Sequence, residues 1–107
     1  MEFGLTDQQL NEIIGIVSQY TEIQEAIIFG SRADGTNKNA SDVDIVIKSN
    51  NAKFEYIGRL LSDSEESNLP FFVDVVDYYS VNSEILRKHI DLYGVIFYKK
   101  KVTNLDK

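Results

Sequence analysis

The sequence contains no cysteine, which excludes disulfide bonds, thiolate catalysis and metal sites built from cysteine. It has one proline and six glycines among 107 residues, so no stretch has the composition of a linker. Hydrophobic residues make up 43% and charged residues 26%, which are the proportions of a globular chain rather than a disordered one. We therefore expect one compact domain over residues 1–107.

Long hydrophobic runs and positive charge are also scarce. The longest apolar runs, such as Ala26–Phe29, are too short to span a bilayer, and Met1–Leu10 lacks the pattern of a signal peptide. We therefore expect a cytoplasmic protein without a membrane partner. The formal net charge is −6. Because neutralisation of phosphates dominates binding to duplex nucleic acid, direct duplex binding is not expected. An acidic chain can still bind a triphosphate when metal ions neutralise the charge locally.

Hydrophobic periodicity predicts strands that alternate with helices. Thr6 and Gln9 match a capping box before a helix over about 6–20. The other predicted elements are a strand at 26–29, a loop at 30–41 with one helical turn after Ser31, a strand at 43–47 and a helix at 52–62. A polar loop at 62–68, closed by Pro70, precedes a strand at 71–76, a helix capped by Ser80 or Asn82 and ending near 89, and a strand at 95–98. This alternation predicts an α/β or α+β sheet with helices packed on it.

Three aspartates are placed as a metal site requires. Asp42 and Asp44 alternate along one strand, so their side chains share a face. Two carboxylates this close repel each other, and one takes up a proton unless a cation holds both ionised. Asp74 lies inside an apolar strand, where a lone carboxylate is costly. If the two strands are neighbours, the three acids can hold two Mg²⁺ ions about 4 Å apart and promote displacement at phosphorus.

The residues at the end of the first strand fit the phosphate half of such a site. Gly30 has no Cβ, so a phosphate can approach its backbone. Ser31 offers a hydroxyl and an N–H at the start of a short helix, where anions bind well. Arg32 and Lys38 are the cations of this loop and could reach the phosphate tail. A Gly-Ser pair alone is usually a turn, and Asp-x-Asp alone is common on exposed strands. Only their combination with Asp74 predicts a nucleotide and metal site.

Other polar residues have simpler interpretations. His89, the only histidine, is interpreted as a helix surface or partly buried position rather than a ligand. Asp77 faces away from Asp74 and is predicted to end a strand or cap a helix. Tyr78 and Tyr79 are expected to pack at the end of an element rather than stack on a base. The acidic stretch 63–66 is interpreted as a solvated turn.

These motifs resemble the minimal nucleotidyltransferases of the polymerase-β-like superfamily. The signature is a strand that ends in Gly-Ser, about ten further residues, Asp-x-Asp on the next strand, and a third acid on a later strand. The matching residues here are Gly30, Ser31, Asp42, Asp44 and Asp74. The ending 94–98 also resembles the last strand of the family, so the resemblance covers nearly the whole chain.

The resemblance implies a small mixed sheet of about four strands with helices mainly on one side. It also implies that Gly30, Ser31 and Arg32 bind the nucleotide, and that all three aspartates ligate Mg²⁺ and are catalytic. Asp74 would in addition help to deprotonate the attacking hydroxyl. Many members carry a second basic residue where this chain has Asp34, so the resemblance identifies no phosphate-binding cation beyond Arg32.

A function follows from the same resemblance. Small members are often encoded beside HEPN-domain RNase toxins and act as antitoxins by attaching nucleoside monophosphates to them. We therefore predict a Mg²⁺-dependent enzyme that transfers AMP from ATP to a HEPN partner within a hetero-oligomer. The chain has little room beyond a catalytic sheet, which favours an acceptor supplied by a partner. Two alternatives are a non-catalytic module that neutralises a partner by contact, and transfer to a small molecule such as an aminoglycoside.

Overall fold

The computed structural model describes residues 3–38, 41–49 and 57–101. Its elements are α1 (Asp7–Ser18), β1 (Ile23–Phe29), α2 (Ser31–Asp34), β2 (Val43–Ser49), α3 (Ile57–Glu65), β3 (Val73–Asp77), a 3₁₀ turn (Tyr78–Ser80), α4 (Glu84–Tyr93) and β4 (Val95–Lys99). The strands form one sheet in the order β3-β2-β1-β4, in which β2 and β3 are parallel and the other neighbours antiparallel. The predicted mixed four-stranded sheet is confirmed.

The two faces of the sheet are covered unequally. The main core lies between one face and helices α1 and α3, and alternate residues of β2 with side chains of the two helices form its centre: Val43, Ile45, Ile47, Ile13, Val17 and Leu60. On the opposite face, Ile27 and Val46 pack against Ile90 of α4 in a smaller cluster. Helices therefore lie mainly on one side, as expected, and α4 covers part of the other. No helix in the described ranges is both long and apolar enough to cross a bilayer.

This topology brings three strand ends to one edge of the sheet. Because β1 runs antiparallel to β2, and β2 runs parallel to β3, the end of β1 meets the beginnings of the other two. The register pairs Phe29 of β1 with Asp44 of β2, and Asp44 with Asp74 of β3. The loop that follows β1 therefore lies beside the first residues of two parallel strands.

Local capping explains where the first helix begins. The side chain of Thr6 accepts a hydrogen bond from the main-chain N–H of Gln9, and the side chain of Gln9 accepts one from the main-chain N–H of Thr6, both at 3.0 Å. This reciprocal arrangement satisfies two of the N–H groups that a helix leaves without partners in its first turn. The predicted capping box is confirmed.

The predicted cap of the last helix is wrong. The structure places this cap at Ser83, whose hydroxyl accepts from the main-chain N–H of Leu86 at 3.2 Å, instead of at Ser80 or Asn82. The intervening Val81 has an extended backbone and a buried side chain. Because the chain must stay extended to bury this valine, three residues separate the 3₁₀ turn from the helix.

The boundaries of α3 also differ from the prediction. Residues 50–56 lie outside the described part of the chain, so the predicted beginning at 52 is not compared. The helix continues to Glu65, so most of the stretch interpreted as a solvated turn is helical. Ser64 is buried there and its hydroxyl donates to the carbonyl of Leu60 at 2.9 Å. This bond to the preceding turn satisfies the hydroxyl and lets a polar residue pack inside the helix.

Candidate active site

The three predicted aspartates lie at the edge where the strand ends meet. Asp44 and Asp74 are direct register partners on parallel neighbours. Asp42 precedes Asp44 by two positions and therefore shares its face. Asp42 and Asp74 are exposed, whereas Asp44 is partly buried. The carboxylates project from the face opposite the main core, because the alternating residues Val43 and Val73 point into that core.

The carboxyl group of Asp44 is partly buried and lies close to the other two acids. Burial raises the pKa of Asp44, and the nearby charges of Asp74 and Asp42 raise it further. A divalent cation relieves this kind of repulsion, and carboxylate oxygens are the ligands that Mg²⁺ prefers. Across residues 3–38, 41–49 and 57–101, no three acidic or histidine side chains converge closely enough to hold an ion as they stand. The donor types fit Mg²⁺. Metal binding by the three aspartates therefore stays a prediction.

Gly30 connects β1 to the short helix α2 and approaches one of these acids. Its φ is +75°, a conformation that residues with a side chain rarely adopt. A Cβ added to Gly30 would lie 2.9 Å from Oδ2 of Asp44. Ser31 begins α2 and is partly buried, and the predicted helical turn after it is confirmed. The glycine thus meets a backbone requirement and also leaves room for the carboxylate of Asp44.

Arg32 does not face solvent. Its side chain is 2% exposed. Nε and Nη2 donate to the carbonyl of Ser41 at 3.1 and 2.7 Å, and Nη1 donates to the carbonyl of Phe3 at 2.8 Å. The guanidinium lies 4.8 Å from the ring centre of Phe71. Burial lowers the pKa of Arg32, and the charge of Asp42 opposes this shift. In this conformation Arg32 anchors the residue before Asp42, and its predicted contact with the triphosphate stays a prediction.

Comparison with known families identifies this arrangement. Residues 11–103 match the model of the family described as polymerase beta, nucleotidyltransferase. The chain belongs to this nucleotidyltransferase family. The matched span includes Gly30, Ser31 and the three aspartates, so the residues that carried the resemblance lie within the nucleotidyltransferase domain. No curated protein sequence matches the chain significantly.

Solved structures share the nucleotidyltransferase fold. A chain from a toxin–antitoxin complex with AMP-PNP matches with a TM-score of 0.71 and 26% identity, over 86% of this chain and 74% of that one. The complex of a tri-AMPylated HEPN toxin with its MNT antitoxin from Shewanella oneidensis gives 0.54 and 24%, over 85% and 70%. A candidate nucleotidyltransferase from Sulfolobus solfataricus gives 0.56 and 24%, over 92% and 86%. The predicted likeness to minimal nucleotidyltransferases is confirmed.

Asp77 and His89 are two further polar residues of the nucleotidyltransferase. Asp77 is buried and accepts from the main-chain N–H of Tyr79 at 3.2 Å and from the hydroxyl of Ser80 at 3.1 Å, which confirms the predicted capping role. His89 is partly buried on α4 and its ring lies 5.0 Å from that of Tyr93. Asp77 lies at the opposite end of β3 from Asp74.

Sequence reasoning did not single out Phe72. Its side chain is 72% exposed, directly before β3 and two positions before Asp74. Its carbonyl accepts from the main-chain N–H of Val43 at 2.9 Å, which fixes this backbone beside the beginning of β2. The alternation of the run 71–76 was the available signal, because a strand that buries Val73 and Val75 must turn Phe72 outward with Asp74.

Proposed function

We propose that this nucleotidyltransferase transfers AMP from ATP to a hydroxyl group of a HEPN-domain protein and thereby acts as the antitoxin of a toxin–antitoxin pair. The observation that carries the proposal is the meeting of Asp44 and Asp74 in one register beside the Gly30 turn. Among proteins with this fold, one complex contains AMP-PNP and another contains a tri-AMPylated HEPN toxin. Those are properties of the other proteins, and they support the acceptor class proposed for this one.

Each residue of the edge has a role in this proposal. Gly30 leaves the main chain bare for the triphosphate, and the Ser31 hydroxyl donates to a phosphate oxygen. Asp42, Asp44 and Asp74 would hold two Mg²⁺ ions, which when bound neutralise the charge of the phosphates and orient them. Asp74 stands on the outermost of the three strands, where it accepts the proton of the attacking hydroxyl.

The reaction is a substitution at the α-phosphorus of ATP. The acceptor oxygen forms a bond to this phosphorus while the bond to the bridging oxygen breaks. Pyrophosphate leaves with the electron pair of that bond. The acceptor gains a phosphodiester, which adds about one negative charge and the bulk of a nucleoside. Near an RNA-binding cleft, this charge repels the phosphate backbone on which RNA affinity depends.

Intact-mass measurement of the purified HEPN partner tests the proposal. After incubation with ATP and Mg²⁺, we expect the partner to gain the mass of one or more AMP groups. Asp42→Asn and Asp44→Asn should abolish this gain, because each removes a charge that holds the metal ions. Asp7→Asn, which changes an exposed aspartate in the first turn of α1, is the matched control and should keep wild-type transfer.

The same measurement separates the proposal from its rival. A partner that is silenced while its mass stays unchanged would show neutralisation by contact alone. Transfer to an aminoglycoside in place of the protein would instead show a small-molecule enzyme. Transfer by Asp42→Asn or Asp44→Asn at the wild-type rate would contradict the assignment of these residues as metal ligands.

A further inference from the structure

Most of the large apolar side chains that are exposed in the described ranges belong to α4 and β4. Seven such residues are exposed, and five of them lie on these two elements: Ile85, Leu92, Tyr93, Val95 and Ile96. We call these five residues the β4 patch. At roughly 100 Å² each, the area that they expose is on the order of 500 Å², close to the largest apolar patch of a typical monomer. A patch of this size indicates contact with another molecule.

β4 is an edge strand of the sheet, and α4 covers the strand beside it. β4 pairs with β1 on one side, and among the described residues no strand pairs with its other side. Ile90 of α4 packs on Ile27 of β1, which is the register partner of Ile96. Ile96 therefore lies on the face that α4 covers. A strand edge of this kind can accept the main chain of a further strand.

The two flanks of α4 have different surroundings. The hydroxyl of Tyr78, which follows β3 at the other edge of the sheet, donates to Oδ1 of Asp91 at 2.8 Å. The guanidinium of Arg87 lies 5.6 Å from the ring centre of the same tyrosine. Ile85 and Leu92 are two turns apart and lie on the opposite flank of the helix. This second flank therefore faces β4 and continues its apolar surface.

The charged residues near the two ends of β4 have opposite signs. Lys99 ends the strand with its side chain 74% exposed, and the exposed Lys101 follows. At the other end, Val95 and the exposed Asp34 line one surface cavity. In an antiparallel pair of two β4 strands, the end of one lies beside the beginning of the other, so the lysines meet the aspartate of the second copy. Lysine usually protects a strand edge from pairing, but here the opposite charge offsets that protection.

We propose that the β4 patch is the interface of a symmetric dimer, in which the β4 strands of two copies pair antiparallel and join their sheets. A two-fold axis presents the same strand to itself, so the edge of β4 complements its counterpart. Ile85, Leu92 and Ile96 are then covered on one face of the joined sheet. Together with the strand edge, the covered area approaches the roughly 800 Å² per copy of a specific dimer. The two aspartate edges lie at opposite ends of the joined sheet, so the dimer leaves both nucleotide sites accessible.

Sedimentation equilibrium of the full chain tests the interface. The wild-type protein should dimerise, and Ile85→Lys and Ile96→Lys should each raise the dissociation constant at least about tenfold, because each places a charge inside an apolar contact. Phe72→Lys is the matched control, since this side chain is 72% exposed directly before β3, at the opposite edge of the sheet. It should leave the dissociation constant unchanged. Ile85 is 83% exposed, so its replacement should leave the Tm of the diluted protein near wild type.

An exchange of charges tests the antiparallel direction. Lys99→Glu and Asp34→Lys should each weaken the dimer several-fold, because each places like charges together across the axis. The double variant restores opposite charges between the two copies and should return the dissociation constant to near the wild-type value. If the two effects instead add in the double variant, the residues do not meet and the proposed pairing is wrong.

The cysteine-free sequence allows a direct test of proximity. In the Ile96→Cys variant, a short bis-maleimide should link the two copies at concentrations where the protein is a dimer. The Phe72→Cys variant presents an equally accessible thiol at the other edge of the sheet and should stay unlinked.

The remaining outcomes identify what else could cover the patch. A wild-type protein that stays monomeric at millimolar concentration overturns the inference, and so does a dimer that Ile85→Lys and Ile96→Lys leave intact. If the wild type is monomeric and these variants abolish binding of a HEPN-domain protein, the patch belongs to that partner and the dimer is wrong. All of these measurements on the chain alone are made without nucleotide, so a failure of the proposed AMP transfer leaves their result unchanged.

Discussion

At the scale of single residues, Gly30 meets two requirements that can be separated experimentally. Gly30 and Gly35 both have positive φ, +75° and +84°. A Cβ on Gly35 would meet nothing within 4 Å, whereas one on Gly30 would press against Asp44. A side chain therefore strains the backbone at both positions, but only at Gly30 does it also displace the carboxylate of Asp44.

We expect Gly35→Ala to lower the free energy of unfolding by about 1–2 kcal/mol, the cost of a left-handed residue with a side chain, and Gly30→Ala to lower it further, because φ +75° with ψ −151° is a conformation that essentially only glycine adopts. Only Gly30→Ala should also weaken ATP–Mg²⁺ binding, because it displaces the carboxylate of Asp44. Denaturant unfolding and calorimetric titration measure the two effects. Equal nucleotide affinity in the two variants would contradict the role of the Gly30–Asp44 contact.

Arg32 shows what a local pattern cannot predict. A cation next to Gly-Ser in a polar loop favours contact with phosphate, and nothing in positions 30–41 indicates burial. Ser41, at the other end of the same loop, holds its guanidinium together with Phe3 and Phe71, which are distant in sequence. Gly30, Asp42 and Asp44 could be placed from sequence because their geometry depends on alternation and a turn, which are local. The environment of Arg32 depends on tertiary contacts, which the sequence pattern does not contain.

At the scale of elements, a hydrogen bond joins the end of α1 to α3. The hydroxyl of Tyr20 donates to Oδ2 of Asp63 at 2.6 Å. Burial raises the pKa of Tyr20 to about 12, the hydrogen bond and charge of Asp63 raise it too, and Arg59 opposes them. Because this pKa exceeds the value of about 10 in an unfolded chain, the stabilisation is fully present below pH 10 and is lost as the pH rises toward 12.

The corresponding variant is Tyr20→Phe. Near neutral pH it should lower the free energy of unfolding by about 1.5–3 kcal/mol, the net value of a hydrogen bond to a charged group. The difference in the free energy of unfolding between wild type and variant should narrow between pH 10 and 12. Over this range the tyrosine of the unfolded wild-type chain releases its proton while that of the folded chain keeps it, and the variant has no such proton. Denaturant unfolding over this pH range measures the difference. A difference that stays constant to pH 12 would contradict the pKa assignment.

The sequence predicts the boundaries of an element well where its pattern is apolar. The prediction fails where polar residues take part in strand pairing. β1 begins at Ile23, three residues before the predicted beginning. The polar residue Glu25 obscured this part of the strand, yet it lies within 4.0 Å of Lys48 on β2 and 3.9 Å of Lys99 on β4. Such cross-strand pairs become recognisable only once the order of strands is known.

At the scale of the whole molecule, the order of the strands meets a condition on which the predicted site depends. The sequence placed Asp74 beside the other acids only on the assumption that its strand adjoins β2. The parallel pairing of β2 with β3 meets this condition, and α3 supplies the crossover that a parallel pair needs. The site thus depends on the folded chain, because β1, β2 and β3 each contribute part of it.

A site assembled from three strands should couple nucleotide binding to global stability. A ligand that binds only the folded state at about one hundred times its dissociation constant adds about 2.7 kcal/mol, or roughly 10 °C in Tm for a chain of this size. We expect this shift with ATP and Mg²⁺ together, and less with either alone, because the net charge of −6 and the three clustered carboxylates oppose a metal-free triphosphate.

The control for this thermal shift is Asp44→Asn. It removes one of three repelling charges, so the ligand-free protein should melt no lower than wild type and the shift with ATP–Mg²⁺ should disappear. Scanning calorimetry with and without the ligands measures both. If saturating ATP and Mg²⁺ do not change the Tm of the wild-type protein, the assignment of a nucleotide site to this edge of the sheet is wrong. If Asp44→Asn instead shows the full shift in Tm, the nucleotide site at this edge stands but Asp44 is not one of its metal ligands.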